Sequence, residues 1–139
     1  MKRFLTALVL LTGLFGAGGA VWAGDFDKGM KAYRSGDYAT ALKEWRPLAE
    51  QGNADAQSWL GVLYRVGLGV LQDPIAAHMW NSIAAANGNK VGGERRERIA
   101  ANFSPSELAE ARMRAKRCME SKYKDCEAEP KSWWQKLLD

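Results

Sequence analysis

Histidine and cysteine, on which many catalytic and metal sites depend, are scarce in this sequence. The chain of 139 residues has one histidine, His78, and two cysteines. One histidine without a spaced partner cannot make a zinc site, and no serine or cysteine pattern indicates an activated nucleophile. Strand signals are nearly absent as well, because β-branched residues do not cluster and apolar residues do not alternate with polar ones. The sequence therefore predicts an all-α protein that is not an enzyme and binds neither a metal nor a cofactor.

The chain also lacks an apolar run of the roughly 20 residues that a transmembrane helix needs. The apolar run at residues 4–15 follows two basic residues and precedes the small residues of "GAGGAVWA". Val21 and Ala23 stand at the −3 and −1 positions of a cleavage site, a pattern typical of a secretory signal peptide. We therefore predict that residues 1–23 are removed and that residues 24–139 are periplasmic or secreted, without a stable membrane anchor. An uncleaved N-terminal anchor is the alternative.

Charge of one sign is not in large excess. The chain has 20 basic and 16 acidic residues, and two of the basic ones lie in the predicted signal peptide. The lysines and arginines of residues 94–124 are interleaved with glutamates, which is typical of solvated helix faces. No nucleic-acid partner is therefore expected.

The two cysteines, Cys118 and Cys126, lie close together in the part predicted to be exported. In an oxidising compartment, an even and closely spaced pair favours a disulfide. A redox pair is the alternative, although redox pairs favour the Cys-x-x-Cys spacing. We expect the disulfide to stabilise a helical C-terminal cap at residues 104–139.

Helical patterns cover most of the remaining sequence, with alanine abundant at core-facing spacing. The clearest helix starts are Asp73 followed by Pro74, and the stretch "FSPSEL", in which Ser104 and Glu107 form a capping box. The predicted helical segments are residues 27–34, 37–52, 53–67, 73–88, 89–102, a segment from 104 and a last one from 130.

A series of marker residues occurs twice in the same order: a tyrosine, a glycine, an aspartate, an alanine and a tryptophan. The two series are Tyr33, Gly36, Asp37, Ala41 and Trp45, and then Tyr64, Gly67, Asp73, Ala77 and Trp80. Repetition at about 30–40 residues, with one helix hairpin per unit, is typical of an α/α solenoid. We therefore expect a solenoid of helix hairpins over residues 24–103.

The stretch "LGVLYRVGLGVLQDPIAAHMWNSIAAANG" resembles a Sel1-like repeat, a relative of the tetratricopeptide repeat. The positions that meet the family pattern are Leu60, Gly61, Tyr64, Gly67, Gly69, Val70, Asp73, Ala77, Trp80, Ala84, Ala85 and Gly88. The resemblance indicates a clear repeat at residues 56–88 and a degenerate, more tetratricopeptide-like copy at residues 27–52. The glycines are expected to shape a helix hairpin, because a phosphate-binding loop would need a preceding strand.

The resemblance implies an interaction or scaffold module, an adaptor that binds a peptide or protein, such as an envelope or host protein. The candidate binding residues on its first helices are Lys28, Tyr33, Gln57, Ser58, Val62 and Arg65. A second candidate surface is the tail with Trp133 and Trp134. This tail is either an exposed aromatic anchor or a capping helix folded over the open end.

Two other functions stay open at this stage. Some cysteine-rich exported Sel1-like proteins are associated with binding or hydrolysing β-lactams, and they carry a similarly spaced cysteine pair in each unit. This chain has one such pair, and it lies outside the clear repeat. The other alternative is a homo-oligomeric structural protein, because stacked repeats need three or more units for stability. Turnover of a chromogenic β-lactam would indicate the first, and a concentration-dependent mass the second.

Overall fold

The computed structural model describes residues 24–127, and all regular structure in them is helical. The helices are α1 (Phe26–Arg34), α2 (Tyr38–Glu50), α3 (Ala54–Val66), α4 (Pro74–Ala86), α5 (Lys90–Ala100) and α6 (Pro105–Glu120). Residues 24–127 contain no strand, and none of their helices is long and apolar enough to cross a membrane. The all-α prediction is confirmed. The predicted signal peptide and the tail with Trp133 and Trp134 lie outside the described residues.

Each of these helices begins after a residue whose side-chain oxygen accepts a hydrogen bond from the first turn. The capping residues are Asp25, Asp37, Asn53, Asp73, Asn89 and Ser104. Such a cap satisfies one of the backbone N–H groups that have no partner inside the helix. The predicted capping box is confirmed, since Ser104 N donates to Glu107 Oε2 over 2.8 Å. Polar residues at these sites therefore set the helix starts.

Consecutive helices pack against each other along the chain. α1 contacts α2, α2 contacts α3, α3 contacts α4 and α4 contacts α5, while α6 packs back onto α4. The tryptophans of the two marker series, Trp45 and Trp80, are both completely or almost completely buried. Leu60, Leu63 and Ile83 lie in the same core without exposed surface. The two tryptophans of the marker series therefore belong to one hydrophobic core.

The glycines of "LGVLYRVGLG" serve helix packing and the turn after α3. A side chain at Gly61 would meet the amide carbon of Asn81 at 2.8 Å and the carbonyl oxygen of Ala77 at 3.2 Å, both on α4. Gly67 ends α3 in the left-handed conformation, at φ +80°. Only glycine adopts this conformation without steric cost, which is why it commonly ends helices. Gly61 therefore lies at a close contact of two helices, and Gly67 lies at a helix end.

A disulfide joins Cys118 at the end of α6 to Cys126, as predicted. The segment that it closes carries Tyr123, whose hydroxyl accepts a hydrogen bond from Asn87 Nδ2 at 3.0 Å. Just beyond the disulfide, Glu127 accepts a hydrogen bond from the Tyr64 hydroxyl at 2.6 Å and is 3.0 Å from Arg46 Nη2. The disulfide therefore holds the end of the described chain against α2, α3 and α4.

A buried carboxylate joins α1 to α2, and the sequence patterns did not indicate it. Glu44 is 8% exposed. Its Oε2 accepts a hydrogen bond from the backbone N–H of Asp25 at 2.9 Å, and its Oε1 lies 2.7 Å from Lys28 Nζ. The hydrogen bond from Lys28 is the main cause that holds the pKa of Glu44 below its ordinary value. The folded protein therefore favours the ionised form of this side chain.

We expect this carboxylate to make part of the stability depend on acid pH. Because the pKa of Glu44 is lowered on folding, its contribution is present above the ordinary pKa of 4.5 and is lost as the pH falls. The melting temperature of the unmodified protein should therefore fall more steeply between about pH 5.5 and about pH 3 than that of Glu44→Gln. Asp37 and Glu107 have lowered pKa values too, but both proteins share them. Parallel melting curves across this range would contradict the expectation.

Candidate binding groove

The structure buries three of the side chains that the sequence predicts for the binding face. Gln57 and Ser58 are at most 1% exposed, and Val62 is 9% exposed. Gln57 Nε2 donates to the carbonyl oxygen of Ala49, and its Oε1 accepts from Asn87 Nδ2, both at 2.9 Å. A partner on this face would therefore meet the side chains that lie over these residues.

The remaining predicted residues lie nearer the solvent. Lys28 and Arg65 are exposed, and Tyr33 is half-buried. Lys28 is already paired with Glu44, as described above. Tyr33 and Arg65 are thus the two predicted residues that can contribute most directly to an open surface, while the tail tryptophans are outside the described residues.

Arg95 on α5, which sequence reasoning missed, lies directly over this face. Its Nη1 donates to the Ser58 hydroxyl at 2.7 Å, and Ser58 in turn donates to Asn81 Oδ1 at 3.3 Å. Asn81 Nδ2 donates to the carbonyl oxygen of Ala77 at 2.9 Å. This chain of hydrogen bonds runs from a rigid helix to the guanidinium and holds it in one orientation. In the sequence Arg95 is one arginine of a predicted helix, and nothing in the pattern distinguishes it from an ordinary surface arginine.

The ring of Trp59 supports the Arg95 guanidinium. Its central carbon lies 5.2 Å from the ring centroid of Trp59, within the range of a cation–π contact. The Trp59 ring lies 5.0 Å from that of Tyr33 and 5.3 Å from that of Trp45, between centroids. Tyr33, Trp59 and Arg95 therefore form a continuous, partly exposed strip anchored in the core by Trp45.

Beside this strip a groove of about 500 Å³ opens between the end of α3, the start of α4, and α5 with its connection to α6. We call it the arginine groove, because Arg65, Arg95 and Arg98 line it. Its apolar lining comes from Pro74, Ile99 and Phe103, and its neutral polar lining from Gln72 and Asn102. Its volume is in the range of ligand sites, ~300–1,000 Å³.

Positive charge predominates in the arginine groove. Burial lowers the pKa of Arg95, and the nearby positive charges of Arg65 and Arg98 lower it further. Within residues 24–127, none of these three arginines forms an ion pair with an acidic side chain. The one carboxylate that lines the groove, Glu107, accepts hydrogen bonds from the backbone and side chain of Ser104. The groove lining therefore carries three arginines against one carboxylate, and its charge is predominantly positive.

A second groove, of about 470 Å³, is lined in part by His78, the single histidine of the sequence. His78 is 3% exposed, and its ring lies 5.6 Å from that of Phe103. Burial lowers the pKa of His78, which favours the neutral imidazole. The Ser82 hydroxyl is 3.3 Å from Nδ1. Among the described residues, no carboxylate hydrogen-bonds this ring.

The described part of the chain contains no cluster of three or more histidine, cysteine, aspartate or glutamate side chains that could hold a metal ion. A comparison of the chain with protein-family models gives no match, and a comparison with curated proteins gives none either. The residues and their geometry are therefore the basis for a proposed function.

Proposed function

We propose that this chain is an exported interaction module, built on Sel1-like repeats, whose arginine groove binds a peptide or protein partner in the envelope or outside the cell. The observation that carries the proposal is the groove itself, which is already formed and open. It combines apolar lining with three arginines that form no ion pair with an acidic side chain of residues 24–127. Preformed concave sites with a few oriented polar groups are the usual form of ligand-binding surfaces.

Several features support the assignment to the repeat family. The two tryptophans of the marker series are buried at corresponding places, on α2 and α4. Gly61 lies at the contact of α3 with α4, Gly67 ends α3, and Asp73 caps α4. These are the roles that a helix-hairpin repeat requires of small, turn-forming and capping residues. In such an array the first helices line a curved binding face, and the first helix α3 contributes Arg65 to the arginine groove.

The proposal of export has separate support. The disulfide between Cys118 and Cys126 fits an oxidising compartment, because thiols are kept reduced in the cytosol. The N-terminal sequence supplies the matching signal, with its basic start, short apolar run and small residues before the predicted cleavage site.

Site-specific photo-crosslinking tests the proposed function. The full chain, with a C-terminal tag, is expressed in its own cells with a photoreactive amino acid at Asn102, an exposed residue of the groove. The matched control carries the same amino acid at Lys31, an exposed residue of α1. We expect a discrete adduct of one protein at Asn102 that is absent at Lys31 and is lost in Arg65→Glu/Arg98→Glu.

Other outcomes of this experiment distinguish the alternatives. An adduct that survives the arginine changes but disappears in Trp133→Ala/Trp134→Ala would assign binding to the tail. Adducts of the chain with itself, together with a concentration-dependent mass, would favour the homo-oligomer. If no partner is crosslinked and a chromogenic β-lactam is turned over, the interaction module is wrong and the hydrolase alternative gains support.

A further inference from the structure

The arginine groove has features that restrict the chemistry of its occupant. Arg65, Arg95 and Arg98 come from two helices and meet at one cavity, without a described acidic partner. Arg95 is held by the Ser58 hydroxyl on one side and lies over the Trp59 ring. Because its orientation is set before a ligand arrives, little side-chain entropy remains to be lost on binding. A planar guanidinium held in this way is suited to the two oxygens of a carboxylate.

From these contacts we infer that the arginine groove binds an acidic peptide segment, with at least two Asp or Glu carboxylates directed at Arg65, Arg95 and Arg98. This inference rests on the proposed function and adds the chemical class of the partner. Negative charge on the partner would relieve the repulsion among the three guanidinium groups. The single carboxylate of the lining, Glu107, is bonded to Ser104 and balances only one of the three positive charges.

The lining of the groove favours a peptide over a free inorganic anion. A groove of about 500 Å³ is far larger than a single small ion needs, given that a water molecule takes ~30 Å³ of liquid volume. Ile99 and Phe103 can cover the apolar parts of a peptide, and the exposed amide of Asn102 can pair with its backbone. The strip of Tyr33 and Trp59 beside Arg95 extends the surface for neighbouring residues. A free phosphate ion would interact with the arginines but would make none of these apolar, amide and aromatic contacts.

The direct test is the binding of a fluorescein-labelled acidic peptide of about eight residues, half of them Asp or Glu, measured by fluorescence anisotropy with the full chain. The comparison peptide has Asn and Gln at the same positions, so that shape and hydrogen-bonding capacity are retained without charge. We expect the acidic peptide to bind at least ~10-fold more tightly than the amide peptide. Its affinity should also fall by about 10-fold between ~0.05 M and ~0.5 M salt, because exposed charges are screened.

Charge reversal in the groove provides the matched comparison. Arg65→Glu/Arg98→Glu should weaken binding of the acidic peptide at least ~30-fold, since two attractions become repulsions. Arg34→Glu/Arg112→Glu changes the net charge equally at exposed sites outside the groove and should weaken binding by no more than ~3-fold. Circular dichroism checks that both variants keep the helical content of the unmodified chain.

Three results would overturn the inference. These are equal binding of the acidic and amide peptides, equal weakening by the two double variants, and displacement of the peptide by equimolar inorganic phosphate. If Asn102 still captures a protein partner by crosslinking while acidic peptides fail to bind, the ligand class is wrong and the proposed function stands. If both experiments fail, the proposed function fails with the inference.

Discussion

Replacement of both Cys118 and Cys126 by alanine is expected to lower the free energy of unfolding by about 2–3 kcal/mol. The disulfide closes a short segment, which limits the chain entropy that it removes from the unfolded state. Cys118 is completely buried, so the change also removes core contacts. In addition, the segment positions Tyr123 against Asn87, and Glu127 against Tyr64 and Arg46. These contacts should be lost together when the segment is released.

Chemical denaturation with and without a reductant measures this effect. The midpoint of the unmodified chain should fall in the presence of the reductant, while that of Cys118→Ala/Cys126→Ala should not change. Thiol titration of the folded chain confirms whether the bond has been reduced. An unchanged midpoint after complete reduction would show that the disulfide does not stabilise the fold.

Gly61→Ala is the second change with a large expected effect. We expect it to lower the free energy of unfolding, although alanine has a higher helix propensity than glycine. In an isolated helix this substitution would stabilise by about 1 kcal/mol. Here the added methyl group would meet the Asn81 side chain and the carbonyl oxygen of Ala77 at the contact of α3 with α4. Backbone atoms of a packed helix cannot move aside cheaply, so we expect a net destabilisation of about 1–3 kcal/mol.

Gly93→Ala serves as the control, because Gly93 is also inside a helix, α5, but has space around it. A methyl group there would lie 3.6 Å from the Ala85 methyl group, an ordinary contact distance. We expect Gly93→Ala to stabilise the protein by about 0.5–1 kcal/mol, because alanine reduces the conformational entropy of the unfolded chain without a clash in the folded one. Thermal or denaturant unfolding of both variants measures the difference. If both alanines stabilise, the close approach of α3 and α4 is wrong.

Gly61→Ala should also change the arginine groove indirectly, through the hydrogen bonds that orient Arg95. Asn81, which the new methyl group would displace, bonds to Ser58, and Ser58 holds Arg95. The residue that lets two helices approach is therefore linked to a guanidinium that lines the arginine groove. Gly61, which the sequence marks only as a packing position, therefore also affects the orientation of Arg95 through Asn81 and Ser58.

The sequence was sufficient to predict the helices, because the signals that start and end them are local. Asp73 with Pro74, Ser104 with Glu107, and Gly67 act on backbone groups within a few residues of themselves. Local residues alone satisfy or interrupt those backbone hydrogen bonds, whatever the rest of the chain does. For the same reason the disulfide was predictable, since the cysteines were few and close in the sequence.

Other features depend on which helices pack together, and no local signal carries that information. Glu44 meets the backbone of Asp25, and Arg95 covers Ser58, across 19 and 37 residues of sequence. The sequence pattern assigned Gln57 and Ser58 to an open face. In the structure Gln57 bonds to Ala49 and Asn87, and Ser58 lies beneath Arg95 of α5.

By itself, then, the sequence determined the helical elements of residues 24–127, the caps at Asn53, Asp73 and Ser104, the turn glycine Gly67 and the cysteine pair. Only the tertiary structure decided where charge is buried and where it stays unpaired. It placed α5 over α3, and that placement turned three arginines, from positions that look like ordinary surface sites, into the lining of one groove. The physical reason is that electrostatic and packing energies depend on distances between atoms, which the order of residues does not specify until the helices are packed.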